Sequence, residues 1–372
     1  MDSPIFRQWL EWEARVQEWL NQSEDCVEFM GTTPVDRLML TILTVKYHIL
    51  YRDMDEENRS ATANHGAERI ATIRLFKTKP TDVNEKDERH RDREKIFDNL
   101  TGRLLTPQQV ITETSVEWQE FNELCDWHGI AFVERFRYSL HQFISDLIST
   151  NALYQELIRK PRAVSPVKEI NNEVYNAKKE GVAFISVDIK SANFGMLQYI
   201  GAIDPQIYPT WSDFLLPFVG AKKLFVENKK LRQFCLGKLP QYYKLEALWK
   251  QYTGTIYRTV LCNCFDEKEV DLRCVALSGD EIVFQLDPSM KNNDVIDFVD
   301  YIRNRLVKES PIVKFSVQAY RIQAFHWREK HLCFARMFIG ESEKQFDLKC
   351  VPDRSKNYET AYQDFCSLLN DS

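Results

Sequence analysis

Two stretches decide how this chain folds: FISVDIKSANFGML at 184–197 and ALSGDEIVFQLDP at 276–288. In the first, a short apolar run leads into Asp188. In the second, a Ser-Gly turn precedes Asp280 and Glu281, and another apolar run follows. β-branched and aromatic residues interrupted by a glycine turn predict strands joined in a hairpin. We therefore expect acidic side chains to be carried together to one edge of a β-sheet.

Carboxylates placed together in this way suit hard divalent cations, which prefer oxygen ligands. Asp188 and Asp280 are the predicted ligands of Mg²⁺ or Mn²⁺, and Glu281 is a further candidate catalytic residue. A pair of such cations performs phosphoryl transfer in polymerases and nucleases. The structural alternative is that Asp188 only caps the following helix and that Asp280 and Glu281 form a solvated turn.

The overall composition is that of an ordinary globular protein. The chain has 372 residues, 44% hydrophobic and 28% charged, which is enough for two or three domains. Because it lacks a long uncharged apolar run, we expect no membrane association. Nine cysteines without regular spacing, and an acidic N-terminus unlike a signal peptide, predict an intracellular protein without indicating the compartment.

A basic segment lies between the two acidic stretches, although the net charge of the chain is −6. Between 222 and 250 there are eight basic side chains and two acidic ones, interleaved with aromatic residues. A local basic stripe is a better sign of nucleic-acid binding than the net charge. A solvated pair of amphipathic helices is the alternative. The basic residues are Lys222, Lys223, Lys229, Lys230, Arg232, Lys238, Lys244 and Lys250.

The chain is predicted to have two parts. Residues 1–160 read as a helical N-terminal region with a charged insertion near 52–98, and a Pro-rich basic linker follows. Residues 170–372 read as a mixed region with an insertion near 205–252. Within it we expect strands at about 256–265, 271–285, 312–324 and 331–339 and a helix at 293–308.

Three elements in fixed order resemble the palm and fingers of nucleic-acid polymerases, most closely family A DNA polymerases. The first is a strand-borne Asp followed by a helix, represented by Asp188, Asn193 and Leu197. The second is a basic fingers helix, represented by Arg232, Leu236 and Gly237. The third is an acidic hairpin before an apolar strand, an acidic-Pro turn and a helix, represented by Gly279, Asp280 and Glu281.

The chain departs from the family A pattern at several positions. Asn193 replaces a Glu, Arg232 replaces a Lys, Leu236 replaces an aromatic residue, and Gly279 replaces a His. The DIKSA sequence from Asp188 also resembles the first motif of reverse transcriptases. The separation of the two Asp residues is likewise nearer to that of reverse transcriptases.

The resemblance implies an α+β fold with a right-hand polymerase-like palm, an antiparallel sheet with packed helices, in residues 170–372. Reduced fingers would lie near 205–252, and the helical region 1–160 would be partly equivalent to a thumb. The implied activity is metal-dependent nucleotidyl transfer to a nucleic-acid 3′-end, with a primer-template and nucleoside triphosphates as partners. The alternatives are a catalytically inactive nucleic-acid-binding or scaffold protein and a metal-dependent nuclease.

The resemblance also assigns residue roles. Lys229, Lys230, Arg232 and Asn193 would bind the nucleotide, and Lys222, Lys223, Lys238 and Lys244 would bind nucleic acid. Because Asn193 is smaller than the residue that excludes a 2′-hydroxyl in relatives, we expect it to accept ribonucleotides. A helix-start residue satisfied by the backbone is the alternative for Asn193.

Overall fold

A computed structural model describes most of the chain. The described residues are 3–47, 49–53, 71–77, 93, 96–97, 100, 107–160, 170, 173–268, 273–340 and 345–370. The elements of the first half are α1 (Pro4–Leu20), β1 (Cys26–Thr32), α2 (Pro34–Tyr47), β2 (Leu50–Asp53), β3 (Ala71–Phe76), α3 (Pro107–His128), α4 (Ile130–Ser149) and α5 (Ala152–Arg159).

The second half begins with a 3₁₀ turn at Ala177–Lys179. Its further elements are β4 (Ala183–Ile189), α6 (Ala192–Tyr199), α7 (Trp211–Val219), α8 (Lys223–Val226), α9 (Lys229–Gly237), α10 (Tyr242–Ile256), a π-helix (Tyr257–Leu261), α11 (Cys262–Glu267), β5 (Arg273–Ser278), β6 (Glu281–Gln285), α12 (Asn292–Glu309), β7 (Phe315–Trp327), β8 (His331–Phe338), β9 (Phe346–Lys349) and α13 (Arg354–Asn370).

The chain divides into two compact units. The first comprises Met1–Arg103, Gln108–Glu156 and Ala202–Pro240, and the second comprises Leu104–Pro107, Leu157–Gly201 and Gln241–Ser372. The segment predicted as an insertion, near 205–252, is therefore shared between them, with the part up to Pro240 in the first unit.

The first unit combines helices with a three-stranded antiparallel sheet of order β1-β3-β2. Strand β3 lies inside the predicted charged insertion and forms because Ile73 and Leu75 alternate and are fully buried. The helices meet around Trp9, Phe143 and Phe218, whose ring centroids are 5.0 to 5.3 Å apart. Such aromatic contacts contribute dispersion and burial to one helical core.

The second unit contains a six-stranded antiparallel sheet of order β5-β6-β4-β7-β8-β9. Helices connect β4 to β5, a tight turn joins β5 to β6, and α12 connects β6 to β7. Strand β4 lies between β6 and β7, so the two β-helix-β connections interlock as in a split βαβ arrangement. The predicted α+β class, with an antiparallel sheet and packed helices, is confirmed.

The sheet of the second unit is covered on one face by helices. Ile185 and Val187 of β4 and Phe284 of β6 form a core with Val295 and Phe298 of α12. The opposite face carries the alternate residues, and a second cluster forms there around Phe184, Val283 and Tyr320. Because side chains alternate along a strand, Asp188 lies on this second face, at the end of β4.

The strand predicted at 256–265 is wrong. The π-helix Tyr257–Leu261 and helix α11 continue α10 instead. Ile256, Val260 and Leu261 are buried in the same cluster, and their spacing of four and five residues places them on one helical face. The apolar run was short enough for a strand, but tertiary packing selected the helix.

Among the described residues, no helix combines the length and the apolar character needed to cross a membrane.

Candidate functional site

Asp188 is the charged residue near the end of a buried strand. The five residues from Ala183 to Val187 are buried, whereas Asp188 is half-buried. In the sheet register Asp188 lies opposite Glu281 of β6 and opposite Ser316 of β7. Directly opposed residues point to the same side of a sheet, so these three polar positions share one face.

The hairpin turn places Asp280 beside the end of β4. Gly279 has a φ of 64°, a left-handed value that glycine adopts without steric cost. The backbone N–H of Ile189 donates to the carbonyl oxygen of Asp280 over 3.1 Å. The backbones that carry Asp188 and Asp280 therefore lie side by side.

Trp249 of α10 supports the same turn. A Cβ atom added to Gly279 would lie 3.3 Å from two atoms of the Trp249 ring, which is buried. The turn thus requires glycine both for its backbone conformation and for the close approach of the indole.

Glu281 has a defined set of partners. Its Oε1 accepts a hydrogen bond of 2.7 Å from the hydroxyl of Ser186 and one of 3.1 Å from Nη1 of Arg336. Arg336 is only 7% exposed, and its Nε donates to the hydroxyl of Tyr175 over 2.6 Å. Glu281 is thus oriented by a buried cation rather than left in a solvated turn.

Arg336 stays positively charged in this environment. Burial by itself lowers the pKa of the guanidinium, but the nearby Tyr320, Glu281 and Tyr175 outweigh it and raise the pKa. Burial also raises the pKa of Tyr175 and of Tyr320. The two phenols therefore stay neutral beside a permanent cation, whose guanidinium lies 4.6 Å from the ring centroid of Tyr320.

Asn193 lies in the first turn of α6, the helix that follows Asp188. Its Nδ2 donates to the hydroxyl of Tyr242 on α10 over 3.4 Å. Its Oδ1 is buried and accepts no hydrogen bond from any described residue. A buried acceptor without a donor costs free energy, and this marks Asn193 as a candidate binding residue.

The predicted basic residues belong mostly to the first unit. Lys229, Lys230 and Arg232 lie on α9, and burial lowers the pKa of Arg232. The N-terminus of α8 beside Lys222 is already occupied, because Glu120 accepts hydrogen bonds from the backbone amides of Lys223 and Leu224.

Lys238 follows α9, and its ammonium lies 4.3 Å from the ring centroid of Phe234. Lys244 belongs to the second unit and donates to the carbonyl of Lys160. Cys235 on the basic helix is fully buried, and burial raises its pKa to about 12. A thiol in that state is a packing residue rather than a nucleophile.

Two carboxylates of the site are of the ligand type that a hard divalent cation such as Mg²⁺ prefers. Asp188 and Asp280 offer carboxylate oxygens from neighbouring backbones, and Mg²⁺ is commonly held by one or two carboxylates together with substrate phosphates. Within the described part of the chain, no three His, Cys, Asp or Glu side chains are grouped to hold a metal by themselves. Asp188 and Asp280 could therefore hold such a cation only together with ligands from outside the described residues.

Several residues of the site were not predicted. Arg336 lies in the apolar run CFARMF of β8, and Ser186 lies within the buried strand β4. A charged or polar residue at a buried strand position was the available signal. Tyr175 carried no distinguishing pattern in the sequence, and Tyr242 was one of the aromatic residues interleaved in the basic segment.

No protein-family model matches the chain, and a search of curated proteins finds no significant match.

Proposed function

We propose that the chain is a metal-dependent nucleotidyltransferase that adds nucleotides to the 3′-end of a nucleic acid in a templated reaction. The observation behind this proposal is that Asp188 and Asp280 lie on adjacent backbones at the same end of the strands, Asp188 near the end of β4 and Asp280 in the turn before β6. In this proposal the second unit is a polymerase palm related to those of family A polymerases, with features of reverse transcriptases.

The reaction requires positioning and charge neutralisation more than covalent participation by the protein. The 3′-oxygen of the primer attacks the α-phosphorus of a nucleoside triphosphate and its hydroxyl proton passes to water. The bond from that phosphorus to the bridging oxygen breaks, and pyrophosphate leaves. Bound Mg²⁺ or Mn²⁺ would supply activation of the hydroxyl and neutralisation of phosphate charge. Asp188 and Asp280 would hold the cations.

Basic residues would bind the phosphates. In the proposal Lys229, Lys230 and Arg232 bind phosphate groups of the nucleotide, and Arg232 offers a planar fork suited to bidentate contact. Lys222, Lys223, Lys238 and Lys244 would contact the nucleic-acid backbone, which is the usual role of surface lysines in such proteins.

Asn193 would contact the sugar. The buried Oδ1 of Asn193 accepts no hydrogen bond from a described residue, and a ribose 2′-hydroxyl can donate one. The protein would therefore use ribonucleotides as substrates.

A second candidate is a nucleic-acid-binding or scaffold protein of the same fold without catalysis. It is favoured by the absence of a three-residue metal group among the described residues and by the engagement of Glu281 with Arg336. A nuclease would use the same carboxylates with water as the nucleophile.

One experiment separates the three functions. The full chain is incubated with an end-labelled primer annealed to a template, Mg²⁺ or Mn²⁺, and mixed ribo- and deoxyribonucleoside triphosphates. A lengthened primer supports the transferase, and a shortened primer supports the nuclease. An unchanged primer that is retained by the protein supports the binding protein.

A further inference from the structure

A buried arginine forms an ion pair with the acidic residue next to the proposed cation ligands. Arg336 of β8 and Glu281 of β6 are separated by two strands in the sheet, β4 and β7. Their side chains nevertheless meet over the face that carries Asp188, with Nη1 and Oε1 3.1 Å apart. The sequence pattern of the hairpin gave no indication of this partner.

The contact fixes both ends of the pair. Arg336 is held by the hydroxyl of Tyr175 and by the ring of Tyr320 beneath it. The same Oε1 of Glu281 accepts the hydroxyl hydrogen of Ser186. Hydrogen bonds between ionised groups in a partly dry environment are stronger than neutral ones, so this carboxylate has a defined orientation.

The ion pair with Arg336 matters because Glu281 lies beside both proposed cation ligands. Glu281 immediately follows Asp280 and lies directly opposite Asp188. A third carboxylate at this place would compete for a cation and would repel the other two when no cation is bound. The permanent positive charge of Arg336, paired with Glu281, counters both effects.

We propose that Arg336 is a positioning residue that keeps Glu281 engaged with Ser186 and thereby reserves cation binding for Asp188 and Asp280. This inference rests on the proposed function, because it concerns the same cations. Arg336 and Ser186 are not part of the sequence resemblance, and both contact Glu281 in the structure.

The test measures Mn²⁺ binding to the full chain through the electron paramagnetic resonance signal of the free ion. The variants compared with the wild type are Arg336→Gln, Glu281→Gln and the double variant. Loss of Arg336 releases Glu281 as an extra ligand, so Mn²⁺ should bind more tightly by at least about threefold. Adding Glu281→Gln should return the affinity to within about twofold of the wild type, since the extra ligand is then gone.

Arg305→Gln is the matched control. Arg305 also pairs with a glutamate, Glu267, which accepts a hydrogen bond from a tyrosine hydroxyl. These residues lie on α11 and α12 and not on the sheet. Its substitution should leave the Mn²⁺ affinity unchanged. Thermal melting shows whether each variant is folded.

The outcomes are distinct. Unchanged Mn²⁺ affinity in Arg336→Gln, or a change that persists in the double variant, overturns the inference. If Arg336→Gln does not fold, Glu281→Gln decides alone, because a loss of Mn²⁺ affinity of about tenfold would show that Glu281 is itself a ligand. Wild-type binding that is abolished by Asp188→Asn but insensitive to Arg336 refutes only this inference. A wild type that binds no Mn²⁺ also overturns this inference, whereas the proposed function is then decided separately by primer extension.

Discussion

The backbone N–H of Ile189 donates a hydrogen bond of 3.1 Å to the carbonyl oxygen of Asp280. This bond joins the residue after Asp188 to the turn of the β5-β6 hairpin. A shift of the turn would therefore change the position of Asp280 relative to Asp188. The proposed site thus depends on the geometry of the turn.

Substitution of Gly279 by Ala is expected to destabilise the protein. The φ of 64° costs an alanine about 1–2 kcal/mol, and its Cβ would lie 3.3 Å from the Trp249 ring. Urea unfolding should show this loss in the free energy of unfolding. Gly237→Ala is the control, because a Cβ there meets nothing within 4 Å. Equal stability of Gly279→Ala and the wild type would contradict the account of the turn.

Tyr154 is expected to make stability depend on alkaline pH. Its hydroxyl donates to the carbonyl of Pro240 over 2.8 Å, and burial raises its pKa from 10.0 to about 12. Because the folded pKa is above the ordinary value, the stabilisation is complete below pH 10 and is lost as the pH rises through 12. The measurement is urea unfolding at intervals across this range.

Tyr154→Phe should reduce the alkaline loss of stability, whereas Tyr138→Phe should not, since Tyr138 is 54% exposed. An identical pH dependence in Tyr154→Phe and the wild type would show that Tyr154 is not responsible.

The sequence predicted the central strand, the acidic hairpin and the helix that follows it. These elements depend on local patterns: buried β-branched residues before Asp188, a glycine turn, and an amphipathic run that became α12 (Asn292–Glu309). The predicted strand at 256–265 failed because a short apolar run fits either a strand or a buried helix until its packing partners are known.

The electrostatic partners of the site were less accessible to sequence reasoning. Arg336 meets Glu281 only because β8 follows β7 in the sheet, 55 residues further along the chain. The register that opposes Asp188 to both Glu281 and Ser316 likewise depends on long-range strand pairing. Such pairings are set by the whole core and not by the residues that they join.

Asn193 is expected to favour ribonucleotides. A hydrogen bond from a 2′-hydroxyl to the buried Oδ1 would contribute about 0.5–1.5 kcal/mol, a several-fold preference. Asn193→Phe should shift the preference towards deoxyribonucleotides, and Asn193→Ala should remove the preference without adding bulk. The measurement is the efficiency of single-nucleotide incorporation for both sugars. Strong selection against ribonucleotides by the wild type would show that another residue controls sugar choice.

The basic helix α9 is expected to contribute to nucleic-acid affinity. Replacement of Lys229, Lys230 and Arg232 by Ala should weaken binding and flatten its dependence on salt by roughly one unit of log–log slope for each lost phosphate contact. Fluorescence anisotropy at several salt concentrations measures the slope. Lys308→Ala, an exposed change on α12, is the control. A slope equal to that of the wild type would indicate that α9 is a solvated surface.

Primer extension by Asp188→Asn and Asp280→Asn is the most direct test of the central claim. Either substitution should abolish extension while the melting temperature stays equal to or above that of the wild type, because clustered negative charge is reduced. Asp297→Asn, an exposed change on α12, should extend the primer like the wild type. Extension that survives both substitutions, or a wild type that extends no primer with either Mg²⁺ or Mn²⁺, would contradict the proposed function.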